Sequence, residues 1–220
     1  MRDSVEDMRR VDPEYRARRG KIRFSKTEVL HITVAIAVLS AAFSIIMRNN
    51  RIVSDQTLNI VYIIIISLIL VIFSFLFHEL GHKFVAQRYN AWSEFRAYPG
   101  GLIIALMFSF FGFLFAAPGA VYIRGNINKR TNGIISLAGP GVNFVIAGAA
   151  MLLSLVLDPG SPAHYAVRML AYLNAFLGLF NMIPVPPFDG SKIAAWNIPL
   201  YVGAAAIGVA ELAITWLYLM

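Results

Sequence analysis

The chain has no cysteine among its 220 residues. That excludes a disulfide framework and a thiolate metal site, and it leaves the compartment open. Charge is scarce, because only 14% of residues are Asp, Glu, Lys or Arg. It is also uneven. Nine of the 19 Lys and Arg precede Glu28, and six of the 12 acids lie within 1–28. The other six acids are Asp55, Glu79, Glu94, Asp158, Asp189 and Glu211. There is no internal repeat and no low-complexity run. After the first 28 residues the largest loop is about a dozen and a half residues, too short for an added soluble domain. The lead-in is too long and too mixed in charge for a signal peptide, and no small-residue cleavage site follows.

Apolar side chains fill the rest, 58% of the whole. They gather in six segments, 29–47, 59–87, 101–117, 134–157, 165–184 and 199–219. A hydrocarbon core takes about 20 helical residues. Five segments meet or nearly meet that length. The third, GLIIALMFSFFGFLFAA, is shorter and sits between YPGG and PGAVYIRG, which are turn and strand signals. The pattern predicts an all-α polytopic membrane protein of about five to six transmembrane helices. A small β or re-entrant element is expected inside it. Residues 1–28 read as a basic cytoplasmic N-terminal arm lying on the lipid surface. They do not read as a nucleic-acid patch, because they mix in acids and run straight into a span. Residues 29–220 read as one membrane-embedded domain.

The chemistry starts in FSFLFHELGHKFVAQRYN, Phe73 to Asn90. His78 and His82 stand four apart, so a helix places both imidazoles on one face about one turn apart. Two ring nitrogens there can grip one metal ion. Glu79 can then act as general base toward a water at the metal, the H-E-x-x-H arrangement of zinc hydrolases. Ionisable residues inside an apolar span are costly and point to function. A catalytic zinc needs a third protein ligand. Asp55, Glu94 and Asp158 sit in loops among charged or turn-forming neighbours, and Glu211 lies inside the last apolar run. Asp189 ends FNMIPVPPFDGSK, where three prolines block a regular helix. From composition alone, an ordinary turn is the stronger reading of PPFDG.

HELGH, AGPGVN and NMIPVPPFDG occur in this order, each on an apolar segment. Together they resemble the site-2 protease family of intramembrane metalloproteases, whose pattern is HExxH, then GPxxN, then NxxPxPPxDG. The resemblance covers about 59–192, and LHIT (Leu30 to Thr33) is similar to the family's usual opening. It implies that His78, His82 and Asp189 bind one Zn2+ and that Glu79 is the base and proton shuttle. It also implies a catalytic role for Asn181 at the oxyanion and a substrate-binding role for Asn143. Ser191 departs from the second glycine of many relatives, and no PDZ or CBS domain is present. The implied substrate is a membrane-spanning protein in a lipid bilayer, cut in or near its span, with no nucleic acid involved. A homodimer is left open.

If the ligands meet, the topology follows by parity. With the basic N-terminus cytoplasmic, 59–87 runs back inward and His78 lies roughly 28 Å along it, near the cytoplasmic end. If 101–117 spanned, Asp189 would emerge on the far side. If it dips and returns, Asp189 emerges beside the histidines, and Arg124, Lys129 and Arg130 stay inside. Five full spans, one dipping segment and an outside C-terminus are therefore expected. Strands around 95–103 and 118–124 could hold an unwound substrate by edge pairing.

The other chemistry-bearing residues have plainer readings. His31 reads as a packed or interfacial histidine, and His164 as solvated. Glu211 reads as protonated against a neighbouring helix, or as lining a water path. Gly139 and Pro140 are expected to open the fourth helix and allow close packing. The aromatics of 108–115 read as lipid-facing. The rivals are a membrane metal-ion transporter, which should carry ligands on several spans, and an inactive scaffold, which should have lost Glu79 or a ligand.

Overall fold

The computed structural model describes residues 22–49, 59–114 and 117–219, so most of the expected N-terminal arm lies outside the described residues. The described chain is mostly helical. Helix α1 is Lys26–Asn49. A second long helix follows in three parts: α2 (Ile60–Val71), a π-helical turn (Ile72–Leu76) and α3 (Phe77–Arg88). Then come β1 (Trp92–Ala97), α4 (Pro99–Ser109) and β2 (Gly119–Arg124). The chain continues with α5 (Lys129–Ser154), α6 (Pro162–Asn181), α7 (Asp189–Trp196) and α8 (Ile198–Leu219).

Helix starts follow local chemistry. The side chains of Asn59, Asn128 and Ser161 accept from Val61 N, Thr131 N and His164 N, each satisfying an orphan donor of a first turn. Beyond the end of α3, Asn90 takes φ 58°, a conformation that Asn tolerates, and the chain turns into β1.

Among the described residues, four helices are long and apolar enough to cross a membrane: Lys26–Asn49, Ile60–Arg88, Lys129–Ser154 and Ile198–Leu217. Helix α6 has 20 residues but carries His164, Arg168 and Asn174, and it is not among the four. The outward faces are apolar too. Ile64 and Leu68 of α2, Val145 and Leu152 of α5, and Val202 and Ile207 of α8 are all exposed. Such continuous apolar surface suits hydrocarbon rather than water.

The third apolar segment does not form a span-length helix. Helix α4 has 11 residues, about 16 Å at 1.5 Å per residue and about half a hydrocarbon core. The two ends of the segment meet. Strands β1 and β2 pair antiparallel with Ala97 opposite Gly119, and Tyr98 N donates to Pro118 O at 2.9 Å. The chain therefore leaves and returns at one place.

Two expectations need correction. Strand β1 lies at 92–97 and does not reach 103, because Pro99, with its fixed φ and no N–H, opens a helix. Gly139 and Pro140 do not open the fourth helix. Helix α5 starts ten residues earlier at Lys129, and both residues lie buried inside it. The expected close packing is present, however. A Cβ on Gly81 of α3 would lie 2.8 Å from Ala138 O of α5, so the two helices meet where glycine leaves room.

Helix α5 is the hub, packed against α3, α6 and α7. A core of Ala35, Leu39, Val71, Phe95, Leu102 and Ala105 joins α1, the sheet and α4. A second, of Phe144, Met182 and Ile193, joins α5 to the end of α6 and to α7. The start of α1 lies beside the end of α3, where Arg23 N donates to Gln87 Oε1 at 3.1 Å.

Candidate metal centre

Helix α3 presents His78 and His82, and α7 presents Asp189 from its first turn, where the helix dipole favours an acid. Gly190 makes that placement possible. A Cβ there would lie 2.1 Å from Met182 O, so only glycine lets α7 press against the end of α6. His82 Nε2 lies 3.0 Å from Asp189 Oδ2, His78 Nε2 lies 3.6 Å from it, and the two Nε2 atoms are 3.0 Å apart. Zinc ligands at about 2.0–2.1 Å in a tetrahedron stand about 3.3 Å from one another, within the range seen here.

Hydrogen bonds set both ring tautomers. His82 Nδ1 lies 2.8 Å from Ile135 O, and a carbonyl can only accept, so Nδ1 carries the proton. His78 Nδ1 lies 2.6 Å from Asn143 Oδ1. Asn143 Nδ2 already donates to Ser74 O and Asn174 Oδ1, so its oxygen faces His78 and that Nδ1 is also protonated. Both Nε2 atoms therefore present lone pairs to each other and to a carboxylate oxygen. Three acceptors converge with no donor among them, which is the donor set a divalent cation satisfies. Among the described residues, His78, His82 and Asp189 are the group able to hold a metal ion, and all three are buried. Burial alone would raise the Asp189 carboxyl, but once His82 and His78 beside it are protonated they prevail and hold it well below the usual carboxylate range.

The site opens into a cavity of about 330 Å³, whose wall includes Glu79, Asn181, Phe188 and Lys192. Glu79 Oε2 accepts from Val121 N of β2 at 3.0 Å. Asn181, the last residue of α6, lines the cavity and donates from Nδ2 to Leu177 O at 2.9 Å. Asn143 does not line it. It is fully buried behind His78, so its placement is that of a ligand orienter and not of the expected substrate contact.

Several participants escaped the sequence. Lys192 Nζ lies 3.2 Å from Asp189 Oδ1 and leaves Oδ2 for the histidine side. Glu28, counted with the arm, is fully buried in α1. Its Oε2 meets Lys83 Nζ at 2.9 Å and its Oε1 accepts from Phe95 N at 2.9 Å. Lys83 also donates to Ser93 O, so the pair ties α1, α3 and β1 together. A lysine directly after His82 in an apolar helix was the available signal, since a buried cation needs a counter-ion. His31 is packed, as expected: Nδ1 accepts from Ala97 N at 3.2 Å.

Fold and site thus describe a mostly helical protein with helices apolar enough to cross a membrane and a His–His–Asp group able to hold a metal ion. Comparison with known proteins agrees. The chain is 43% identical over 190 residues to "Putative zinc metalloprotease MJ0611" of Methanocaldococcus jannaschii, covering 84% of this chain and 94% of that one. It is 31% identical over 125 residues to "Zinc metalloprotease MJ0392" of the same organism, covering 57% of this chain and 32% of the other. It is also 31% identical over 157 residues to "Putative zinc metalloprotease YwhC" of Bacillus subtilis, covering 60% and 68%. No protein-family model and no solved structure matches the chain. The chain belongs to the same family of zinc metalloproteases, which is consistent with the resemblance of its HExxH, GPxxN and NxxPxPPxDG motifs to the site-2 protease family.

Proposed function

We propose that the chain is an intramembrane zinc endopeptidase of the site-2 type. It holds one zinc ion and cuts membrane-spanning proteins in or near their spans. One observation carries the reading: two histidine lone pairs and Asp189 Oδ2 converge beside Glu79, at a cavity set among helices apolar enough for a bilayer. His78, His82 and Asp189 hold the metal. When bound, zinc polarises a scissile carbonyl and lowers a water's pKa to about 7. Glu79 takes the water's proton and passes it to the leaving amine. The Asn181 amide carries two hydrogens and spends one on Leu177 O, so the other is free for the developing oxyanion.

Substrate enters as an unwound strand along β2. In an antiparallel pair, alternate N–H groups turn outward. On β1, those of Phe95 and Ala97 are taken by Glu28 and His31, so α1 closes that edge. On β2, the outward N–H of Val121 holds Glu79, and that edge faces the cavity. A strand pairing there takes the Val121 N–H and releases Glu79 toward the water. Val121→Pro removes this donor and should slow cleavage of a long substrate; an unchanged rate would count against edge pairing.

The basic N-terminus is cytoplasmic by its charge bias, and the site faces the same side, a reading supported by the start of α1 lying beside the end of α3. Five spans, the 101–117 dip and an outside C-terminus complete the topology, with Arg124, Lys129 and Arg130 inside. Vesicles holding the protein and a single-span substrate test the reading. Cleavage inside the span, abolished by a zinc chelator and restored by zinc, is expected. Zinc flux into the vesicles without cleavage would favour a transporter instead.

A further inference from the structure

We infer that Asn174 is a positioning residue for the metal ligand His78, acting through Asn143. The inference rests on His78 being a metal ligand, as proposed above. Asn143 and Asn174 are both fully buried, and Ser74 is 1% exposed. So deeply buried, each polar atom is expected to find its partner within the protein.

The orientation of each group dictates that of the next. Asn174 Nδ2 donates to Leu170 O of its own helix at 2.9 Å and to Ser74 Oγ at 2.9 Å. Leu170 O can only accept, so this end of the amide is the NH2, and Oδ1 is left to face Asn143. Asn143 Nδ2 then meets two acceptors, Asn174 Oδ1 at 2.8 Å and Ser74 O at 2.9 Å. Its Oδ1 must therefore face His78, 2.6 Å from Nδ1. That oxygen requires a proton on Nδ1, and a neutral ring protonated there keeps its Nε2 lone pair for the metal.

The π-helical turn just before His78 has a place in this chain. A π turn shifts hydrogen bonds from i→i+4 to i→i+5 and often marks a functional site. Here Phe77 N reaches back to Ile72 O, and Ser74, in the same turn, offers its carbonyl to Asn143 and its hydroxyl oxygen to Asn174. Three elements thus converge on one ring tautomer: α6 through Asn174, the π turn through Ser74 and α5 through Asn143.

The full chain is tested in detergent as wild type, Asn174→Leu and Asn174→Asp. Leucine keeps the branched shape and removes the acceptor. Aspartate keeps an oxygen toward Asn143 while losing the amide donors. Zinc affinity is read by chelator competition, the ligand field by the visible spectrum of the Co2+-loaded protein, and the fold by melting of the metal-free protein. Asn174→Leu should weaken zinc by about 10–100-fold, the usual range for a lost outer-shell partner, and shift the cobalt spectrum. Asn174→Asp should hold zinc near wild-type affinity even if it melts lower. If the leucine variant does not fold, Asn174→Ala takes its place. A leucine or alanine variant with wild-type affinity and spectrum would overturn the inference, as would an aspartate variant that loses zinc as fully as leucine. Wild type without zinc would overturn the metal reading itself, a distinct result.

Discussion

Gly139→Ala should cost the protein its metal site while leaving its helices in place. A Cβ at 139 would lie 2.3 Å from His82 Nε2, 2.5 Å from His82 Cε1 and 2.7 Å from His78 Cε1. An ordinary heavy-atom contact needs about 1 Å more than the shortest of these. The rings cannot simply withdraw, because Ile135 O holds His82 Nδ1 at 2.8 Å and Asn143 Oδ1 holds His78 Nδ1 at 2.6 Å. Overpacking costs about 1–3 kcal/mol, and unpairing a buried polar group costs about 1–3 kcal/mol more. At about 1.4 kcal/mol per tenfold, about 2–4 kcal/mol of that combined penalty falling on the ligand geometry weakens zinc by about 30–700-fold. Chelator competition measures this, with far-UV circular dichroism as the control for folding. A folded Gly139→Ala protein with wild-type zinc affinity would refute the claim that this glycine exists to admit the imidazoles.

Two other outcomes follow from the same geometry. Lys83→Met leaves the Glu28 carboxylate buried without its cation and should cost about 3–5 kcal/mol of stability, whereas Glu28→Gln combined with Lys83→Met should cost less than the sum of the single changes. Thermal melts of the metal-free protein measure the coupling, and simple additivity would contradict a direct pair. Zinc affinity should fall as pH drops from about 7 to about 5, because protons compete with the metal for the imidazole lone pairs of His78 and His82. Asp189, held below the usual carboxylate range, stays ionised there, so the loss is the histidines'. Each histidine contributes up to about tenfold per pH unit; a flat profile between pH 7 and 5 would contradict imidazole ligation.

Much of this was legible in the sequence because it rests on spacing. The spacing of four from His78 to His82 places both rings on one helix face, and the shortness of 101–117 with its turn-rich flanks announced a segment too short to span, whose ends return to each other. Asp189 was not legible from composition, since a proline-rich turn reads the same whether or not its carboxylate is used; only the resemblance singled it out. Long-range partners were hidden as well. Asn174 lies 31 residues from Asn143, and Glu28 lies 55 residues from Lys83. Their roles appear only once three helices cross. The start of α5 was misplaced because Gly139 and Pro140 look like helix openers, and tertiary packing against the histidines overrides that local signal.

The most direct test compares purified wild type with Glu79→Gln and Asp189→Ala, measuring bound zinc and cleavage of a membrane-spanning substrate on the same samples. The account predicts about one zinc per chain and cleavage for wild type, zinc without cleavage for Glu79→Gln, and loss of both for Asp189→Ala. Cleavage by Glu79→Gln, or wild type that binds no zinc, would contradict it.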